Sequence, residues 1–246
     1  MLKVDIDNIT ISNNSNTHLL LDNINFELTE GKVYTILGKN GTGKSTLIKS
    51  LTKLLNENIF SVNGNITWNS KNISDCSADE LLQIRKDEIR YVFQDAANSF
   101  DPLKAFQYYF DNSLASKNKI NELLEYFLLP EYNEISRLYS YEVSGGMAQR
   151  LSMILAFLAD PQLIILDEPT SGIDYAISNL LLLKLKKFTK EDNKIVLIVT
   201  HDIMFAEKVS DELAFLSDGK LTQFNTKDEF FAKQDIDLLT SIKEMK

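Results

Sequence analysis

Apolar and polar residues alternate through the first thirty or so positions, as in Lys3-Val4-Asp5-Ile6-Asp7 and Asn23-Ile24-Asn25-Phe26-Glu27-Leu28. A period of two predicts half-buried strands, with the polar stretch SNNSNTH as the turn between them. A second strand pair is predicted around Asn63-Gly64-Asn65, because Asn-Gly is a hairpin signal and Ile66-Thr67-Trp68 follows it. These strands make an N-terminal antiparallel β lobe. Between them lie an apolar run, Val33 to Leu37, and a helical pattern, Leu47, Ile48, Leu51, Leu54 and Leu55. IRYVF at 89–93 predicts a further strand. Over about 95–143 the period changes: Leu114, Ile120, Leu123, Leu124 and Phe127 fall at helical spacing among dense aromatics (Phe100, Phe106, Tyr108, Tyr109, Phe110). That predicts an inserted helical lobe whose rings serve as core or partner surface. From 144 onward the pattern predicts a helix over 145–159, a strand over 163–166, a helix over 175–190, a strand over 195–200 and a helix over 203–210. A hairpin at Ser217-Asp218-Gly219-Lys220 and a charged helical tail over 227–246 complete the chain. LIIL and IVLIV are continuous apolar runs, which a parallel sheet covered on both faces requires. The expected class is α/β with a mostly parallel sheet.

Composition narrows the picture. The 246 residues suffice for one large domain or a core with an inserted lobe, and 44% hydrophobic with 25% charged residues is an ordinary globular balance. The net charge of -9 and the absence of a basic stripe argue against nucleic acid as a partner. Cys76 is the single cysteine, so no disulfide within the chain and no zinc set is expected; in the polar run SDCSAD it reads as an incidental thiol. The charged, alternating start predicts no signal peptide, and no run approaches the eighteen or so apolar residues of a membrane span.

Chemistry enters at residues 38–46, GKNGTGKST: Gly38, Lys39, Asn40, Gly41, Thr42, Gly43, Lys44, Ser45, Thr46. This is G-x-x-x-x-G-K-[ST] between an apolar strand and a helix, the context that makes the spacing physical. Glycines let backbone N–H groups curl round phosphate oxygens, and the helix start adds partial positive charge. Lys44 is predicted to reach the β- and γ-phosphates of a nucleoside triphosphate, and the Ser45 hydroxyl to ligate Mg²⁺.

A second constellation follows. Strand 163–166 ends in Asp167 and Glu168, at the ligand edge of an α/β sheet. Asp167 suits Mg²⁺, and Glu168 suits a base that takes a proton from an attacking water. An acidic turn explains the pair equally well in isolation; the upstream phosphate loop favours chemistry. His201 closes the strand 195–200 and is placed to meet a γ-phosphate, although a lone histidine there reads as a helix start. His18, in the polar stretch, reads as an exposed loop residue. Ser144, Gly145 and Gly146 open a helix and offer amides to an anion, although a bare Ser-Gly-Gly is more often an ordinary N-cap.

In this order the motifs resemble the nucleotide-binding subunit of an ATP-binding cassette (ABC) transporter, over about residues 2–225. The resemblance rests on the phosphate loop, Gln94 in YVFQD, VSGGMAQR (143–150), LIILDEP, Asp174 in SGID and His201 in THD. It implies a P-loop NTPase core, RecA-like, and a single ABC ATPase domain. It implies ATP and Mg²⁺ as ligands, with Ser45, Gln94 and Asp167 about the metal. Glu168 polarises the water, and His201 holds the γ-phosphate. Ser144, Gly145 and Gly146 act on ATP bound to a second cassette, identical or different, and Asp174, in the D-loop, counts among the nucleotide-binding residues. Further implied partners are integral membrane permease subunits and an extracytoplasmic substrate-binding protein. The expected location is cytoplasmic, on the inner face of the membrane.

Two features depart from the common pattern. Met147 stands where the signature usually has glutamine; with VFQDAANSFDP it resembles peptide- and nickel-importer ATPases, which points to import of peptides or metal chelates. The aromatic that usually stacks on adenine is absent near Ser12 and Asn13. A rival of the same fold is a soluble assembly ATPase acting on a cytosolic scaffold. DNA-repair or translation ATPases fit less well, lacking here their inserts or second cassette, and the intact Lys44, Asp167, Glu168 and His201 argue against an inactive regulatory cassette.

Overall fold

The computed structural model describes residues 1–13 and 16–232. Strands β1 (Leu2–Asn13) and β2 (Asn16–Leu28) pair antiparallel, and β1 pairs on its other side with β4 (Phe60–Trp68), which carries the short β5 (Lys71–Asn72). The second sheet has the order β10-β9-β3-β8-β7-β6, with β11 also on β9. Its members are β3 (Lys32–Leu37), β6 (Ile89–Val92), β7 (Leu163–Asp167), β8 (Ile195–Thr200), β9 (Glu212–Ser217), β10 (Lys220–Leu221) and β11 (Asn225–Thr226). β6, β7, β8, β3 and β9 run parallel; β10 and β11 oppose β9.

Every residue of β7 and β8 is buried. Their alternate side chains feed two cores, because successive residues of a strand face opposite sides. Leu163, Ile165, Leu197 and Val199 pack with Ile6, Ile24, Trp68 and α1 (Lys44–Ser50), under the antiparallel sheet. Ile164, Leu166, Val196 and Ile198 pack with α6 (Gly145–Leu158), α7 (Tyr175–Lys190) and the helical lobe. The expected α/β class with an antiparallel β lobe and an inserted helical lobe is therefore the observed one. The lobe contains α3 (Phe106–Asn112), α4 (Lys117–Tyr126) and α5 (Tyr132–Ile135). Phe100, Phe106, Phe110, Ile120, Leu123, Leu124 and Phe127 are its core. α8 (Ile203–Val209) and α9 (Lys227–Ala232) pack on β9 and Leu37. The predicted tail beyond 232 lies outside the described residues.

Several local expectations are corrected. Asn63-Gly64 is not a hairpin: β4 runs straight through it. Gly64 has φ +121°, and a Cβ there would lie 2.3 Å from the Asp5 carbonyl oxygen. It sits where the β1–β4 register shifts, so the glycine serves a bulge and a close backbone approach. His18 is exposed but lies in β2, opposite Ile11. Leu114 is 91% exposed with φ +56°, between α3 and α4. Cys76 is buried, its thiol donating to the Asn72 carbonyl at 3.4 Å. The helix α2 (Ala78–Gln83), continued by a wide turn over Ile84–Glu88, was not anticipated from its polar sequence. Ser77 caps it in a reciprocal box with Glu80, an arrangement that stabilises a helix by about 1 kcal/mol.

Candidate functional site

Parallel pairing gathers the motifs. β3 pairs with β8 and β8 with β7, with Leu37 opposite Thr200 and Asp167 opposite Val199. The carboxyl ends of adjacent strands thus release the phosphate loop, the two carboxylates and the histidine at one edge. β6, next to β7, delivers Gln94 to the same edge. A cavity of about 310 Å³ opens there, lined by Leu20, Asn40, Gly41, Gly43, Lys44, Ser45, Thr46, Gln94 and Glu168.

The loop needs its glycines. Gly41 and Gly43 have φ of +82° and +96°, left-handed values that favour glycine. A Cβ on Gly38 would lie 2.7 Å from the Leu216 carbonyl oxygen. Lys44 is buried, and its ammonium donates to the carbonyls of Gly38 (2.8 Å) and Lys39 (3.0 Å). Its Nζ also lies 3.3 Å from Glu168 Oε1, an ion-pair distance without hydrogen-bond geometry, since that oxygen has no hydrogen-bond partner.

Glu168 follows β7 with φ +47°, unusual for a residue with a side chain, and its N–H donates to the Val199 carbonyl at 2.9 Å. The turn sends its carboxylate back under the loop. There Oε2 accepts from the Thr200 hydroxyl (2.7 Å) and the His201 N–H (3.2 Å), with His201 Nδ1 at 3.0 Å. Thr200, a buried polar residue ending an apolar strand, escaped the sequence reading; that position in the strand is the signal for it. Asp202 caps α8 through Phe205 N–H and also accepts from Thr170, which ties the histidine turn to the carboxylate turn.

Asp167 is buried. Loss of water pushes its carboxyl group above the usual carboxylate range; the Ser45 hydroxyl bonded to it opposes that shift and the neighbouring Glu168 charge reinforces it. Its Oδ1 is buried with no hydrogen-bond partner. A buried carboxylate oxygen in want of a partner, beside a hydroxyl, suits a hard cation. Among the described residues no group of three or more His, Cys, Asp or Glu side chains could hold a metal alone. The Asp167 and Ser45 oxygens fit Mg²⁺, which is bound by one or two protein oxygens together with phosphate oxygens and water.

Ser144, Gly145, Gly146 and Asp174 do not line this cavity. Ser144 caps α6, accepting from the Met147 N–H at 3.3 Å, and is exposed. Asp174 caps α7 through the Ile177 N–H at 2.9 Å. The two turns touch: a Cβ on Gly146 would lie 2.8 Å from the Gly172 carbonyl oxygen. One chain therefore carries a cluster of charged groups at one sheet edge and, apart from it, a second helix start where Ser144 and Gly145 are exposed.

The ABC transporter family model matches residues 21–171. The chain belongs to the ABC transporter family. It is accordingly an ATPase of the cassette type. It is 34% identical over 85% of its length to a dipeptide transport ATP-binding protein, DppD, of Caldanaerobacter subterraneus, of which the match spans 67%. It is 27% identical over 94% of its length to the oligopeptide transport ATP-binding protein OppD of Escherichia coli, spanning 71% of it. In several other peptide-transport relatives the match spans less than two thirds of the protein, as in the 64% for OppD of Lactococcus lactis subsp. cremoris. Among solved structures, the cassette MJ0796 in a dimeric post-hydrolysis state with ADP and Pi superposes with a TM-score of 0.78 at 26% identity, covering 92% of this chain and 99% of that one.

Proposed function

We propose that this chain is the ATP-hydrolysing subunit of a peptide importer, working as one half of an ATP-bridged cassette dimer at the cytoplasmic face of a membrane. The observation that carries the hydrolytic reading is the Glu168 carboxylate, buried and held by Thr200 and His201 beside Lys44. In this reading the loop amides of 38–46 and Lys44 bind the phosphates. Ser45, Asp167 and Gln94 hold Mg²⁺, which when bound neutralises phosphate charge. Glu168 accepts a proton from the attacking water, and His201, with nearly half its side chain exposed, contacts the γ-phosphate. Positioning and charge neutralisation supply most of the acceleration in phosphoryl transfer.

Ser144, Gly145, Gly146 and Asp174 act across the dimer on the partner's nucleotide. Their separation from this chain's own cavity supports that role, as does the dimeric form of the MJ0796 cassette. Permease subunits dock through the helical lobe, and an extracytoplasmic binding protein delivers substrate to them. No helix among the described residues is long and apolar enough to cross a membrane; in this reading the permease holds the chain there. Peptide is favoured over metal chelate because the relatives named above are peptide-transport proteins.

The test is the mass in solution of Glu168→Gln with ATP and Mg²⁺. A dimer formed only with ATP is expected, together with a fall in turnover of about 100-fold or more. A chain that binds no nucleotide overturns the assignment of the loop. A variant that hydrolyses ATP at the parent rate overturns the assignment of the base.

A further inference from the structure

A second cavity, of about 290 Å³, lies at the end of α1 away from the phosphate loop. One wall is a face of β4. Phe60, Val62, Gly64 and Ile66 are alternate residues of that strand, so they share a face, and all four line the cavity. Gly64 contributes no side chain to the row. The Asp5 carbonyl oxygen, 2.3 Å from where a Cβ would lie, bars one from that position. Ile66 and Ile73 are buried, and Leu55 and Phe60 pack on the same core, so this side of the cavity is apolar.

The other side carries charge. The turn after α1 sets Lys53 at φ +54°, and its ammonium donates to the Ser74 carbonyl at 2.7 Å. An ammonium has three donors, so two remain. Glu57, between α1 and β4, lines the same cavity. Among the described residues neither Lys53 nor Glu57 forms an ion pair. The neighbouring cations are already engaged. Arg85 donates to the carbonyls of Thr52 (3.0 Å) and Lys53 (2.9 Å), and Lys71 pairs with Glu80. One cation, one carboxylate and an apolar wall are what the cavity offers.

We propose that this cavity binds a free α-amino acid with an apolar side chain. The ligand's carboxylate meets Lys53, its ammonium meets Glu57, and its side chain lies against Phe60, Ile66 and Ile73 in the gap at Gly64. Size decides against larger occupants: pockets for drug-sized ligands run from about 300 to 1,000 Å³, and this one lies at the lower limit. Charge decides against a plain fatty carboxylate or amine, since each answers only one of the two groups. The cavity shares no lining residue with the one at the phosphate loop, so the proposal stands apart from the assignment of that loop.

The experiment is ligand-observed NMR with the whole chain, in the presence of Mg²⁺ and the imido analogue of ATP to occupy the nucleotide site. The probes are L-leucine, 4-methylpentanoate, which lacks the ammonium, and isopentylamine, which lacks the carboxylate. L-leucine is expected to bind with a dissociation constant of about 1 mM, as suits so small a ligand with solvated charges. Each single-charge analogue is expected to bind about tenfold more weakly, through loss of a charge-assisted contact. Lys53→Met is expected to weaken L-leucine by about the same factor. Val62→Trp, which fills the cavity beside Gly64, is expected to abolish binding. Affinity for the ATP analogue stays at the parent level in both variants, which shows that they fold. No binding of L-leucine at concentrations about tenfold above the expected constant overturns the site. Equal binding of either analogue overturns the ligand class. L-leucine binding that survives both substitutions lies elsewhere on the chain and overturns the assignment of this cavity.

Discussion

The loop at 38–46 and the helix start at Ser144 both aim backbone amides outward from a helix, yet they are built in opposite ways. The first is embedded: Lys44, Asp167 and Glu168 are buried around it, with Thr200 and His201 wired to the glutamate. The second is bare: a serine cap and two glycines, Ser144 and Gly145 exposed and Gly146 half-buried against the Gly172 turn. The difference teaches where the chemistry belongs. Water activation needs charges held in place in a dry setting, which only a strand-end cluster inside the fold supplies. A surface that must meet and leave another molecule is better made of amides that bury no charge of their own.

The sharpest break comes from Lys44→Ala. Both members of its pair with Glu168 are only 5% exposed, and removing one partner of a buried pair costs about 3–5 kcal/mol. Urea unfolding is expected to show that loss in Lys44→Ala and its substantial recovery in Lys44→Ala/Glu168→Gln, where no charge is stranded. Absence of recovery would mean that the pair does not define the embedded half. Ser144→Ala tests the bare half. It removes one cap, worth about 1 kcal/mol, so the melting point falls slightly and ATP binding by the isolated chain stays at the parent level. Turnover is expected to fall steeply, measured as phosphate release. Loss of ATP binding by the monomer would place Ser144 in its own chain's site.

The smallest effect is a pH dependence. The Asp167 carboxyl group is raised in the fold above its ordinary value of about 3.9. The folded chain therefore holds that proton to higher pH than the unfolded chain does. Ionising Asp167 costs stability that is absent at low pH, grows as pH rises from the ordinary value, and is fully present above the raised one. With chelator present and no nucleotide, Asp167→Asn should gain stability relative to the parent as pH rises through that window, read as the difference in melting temperature. A constant difference across pH would remove the desolvation argument.

Much of the embedded half was legible because its signals are local. GKNGTGKS, DEP and THD each sit where a buried strand ends, and strand ends follow from apolar runs. Parallel order then brings them together without further information. The misses share another cause. Asn63-Gly64 has the composition of a turn, but only the approach of Asp5 reveals that the glycine serves a bulge in a continuous strand. Cys76 looks solvated among polar neighbours and is buried by packing with Ile73, Leu81 and their surroundings. Leu114 follows helical spacing on paper, yet the chain reverses there between α3 and α4.

The contact between Lys44 and Glu168 has a consequence for an enzyme that must not waste fuel. The ammonium faces the glutamate and the carbonyls of Gly38 and Lys39. An arriving phosphate that claims the lysine takes it from the base. On the proposed assignment, the group that would draw the proton from water is thereby freed by the same event that brings in the bond to be broken. In the language of control this is an interlock: the trigger stays disarmed until the charge is in the chamber.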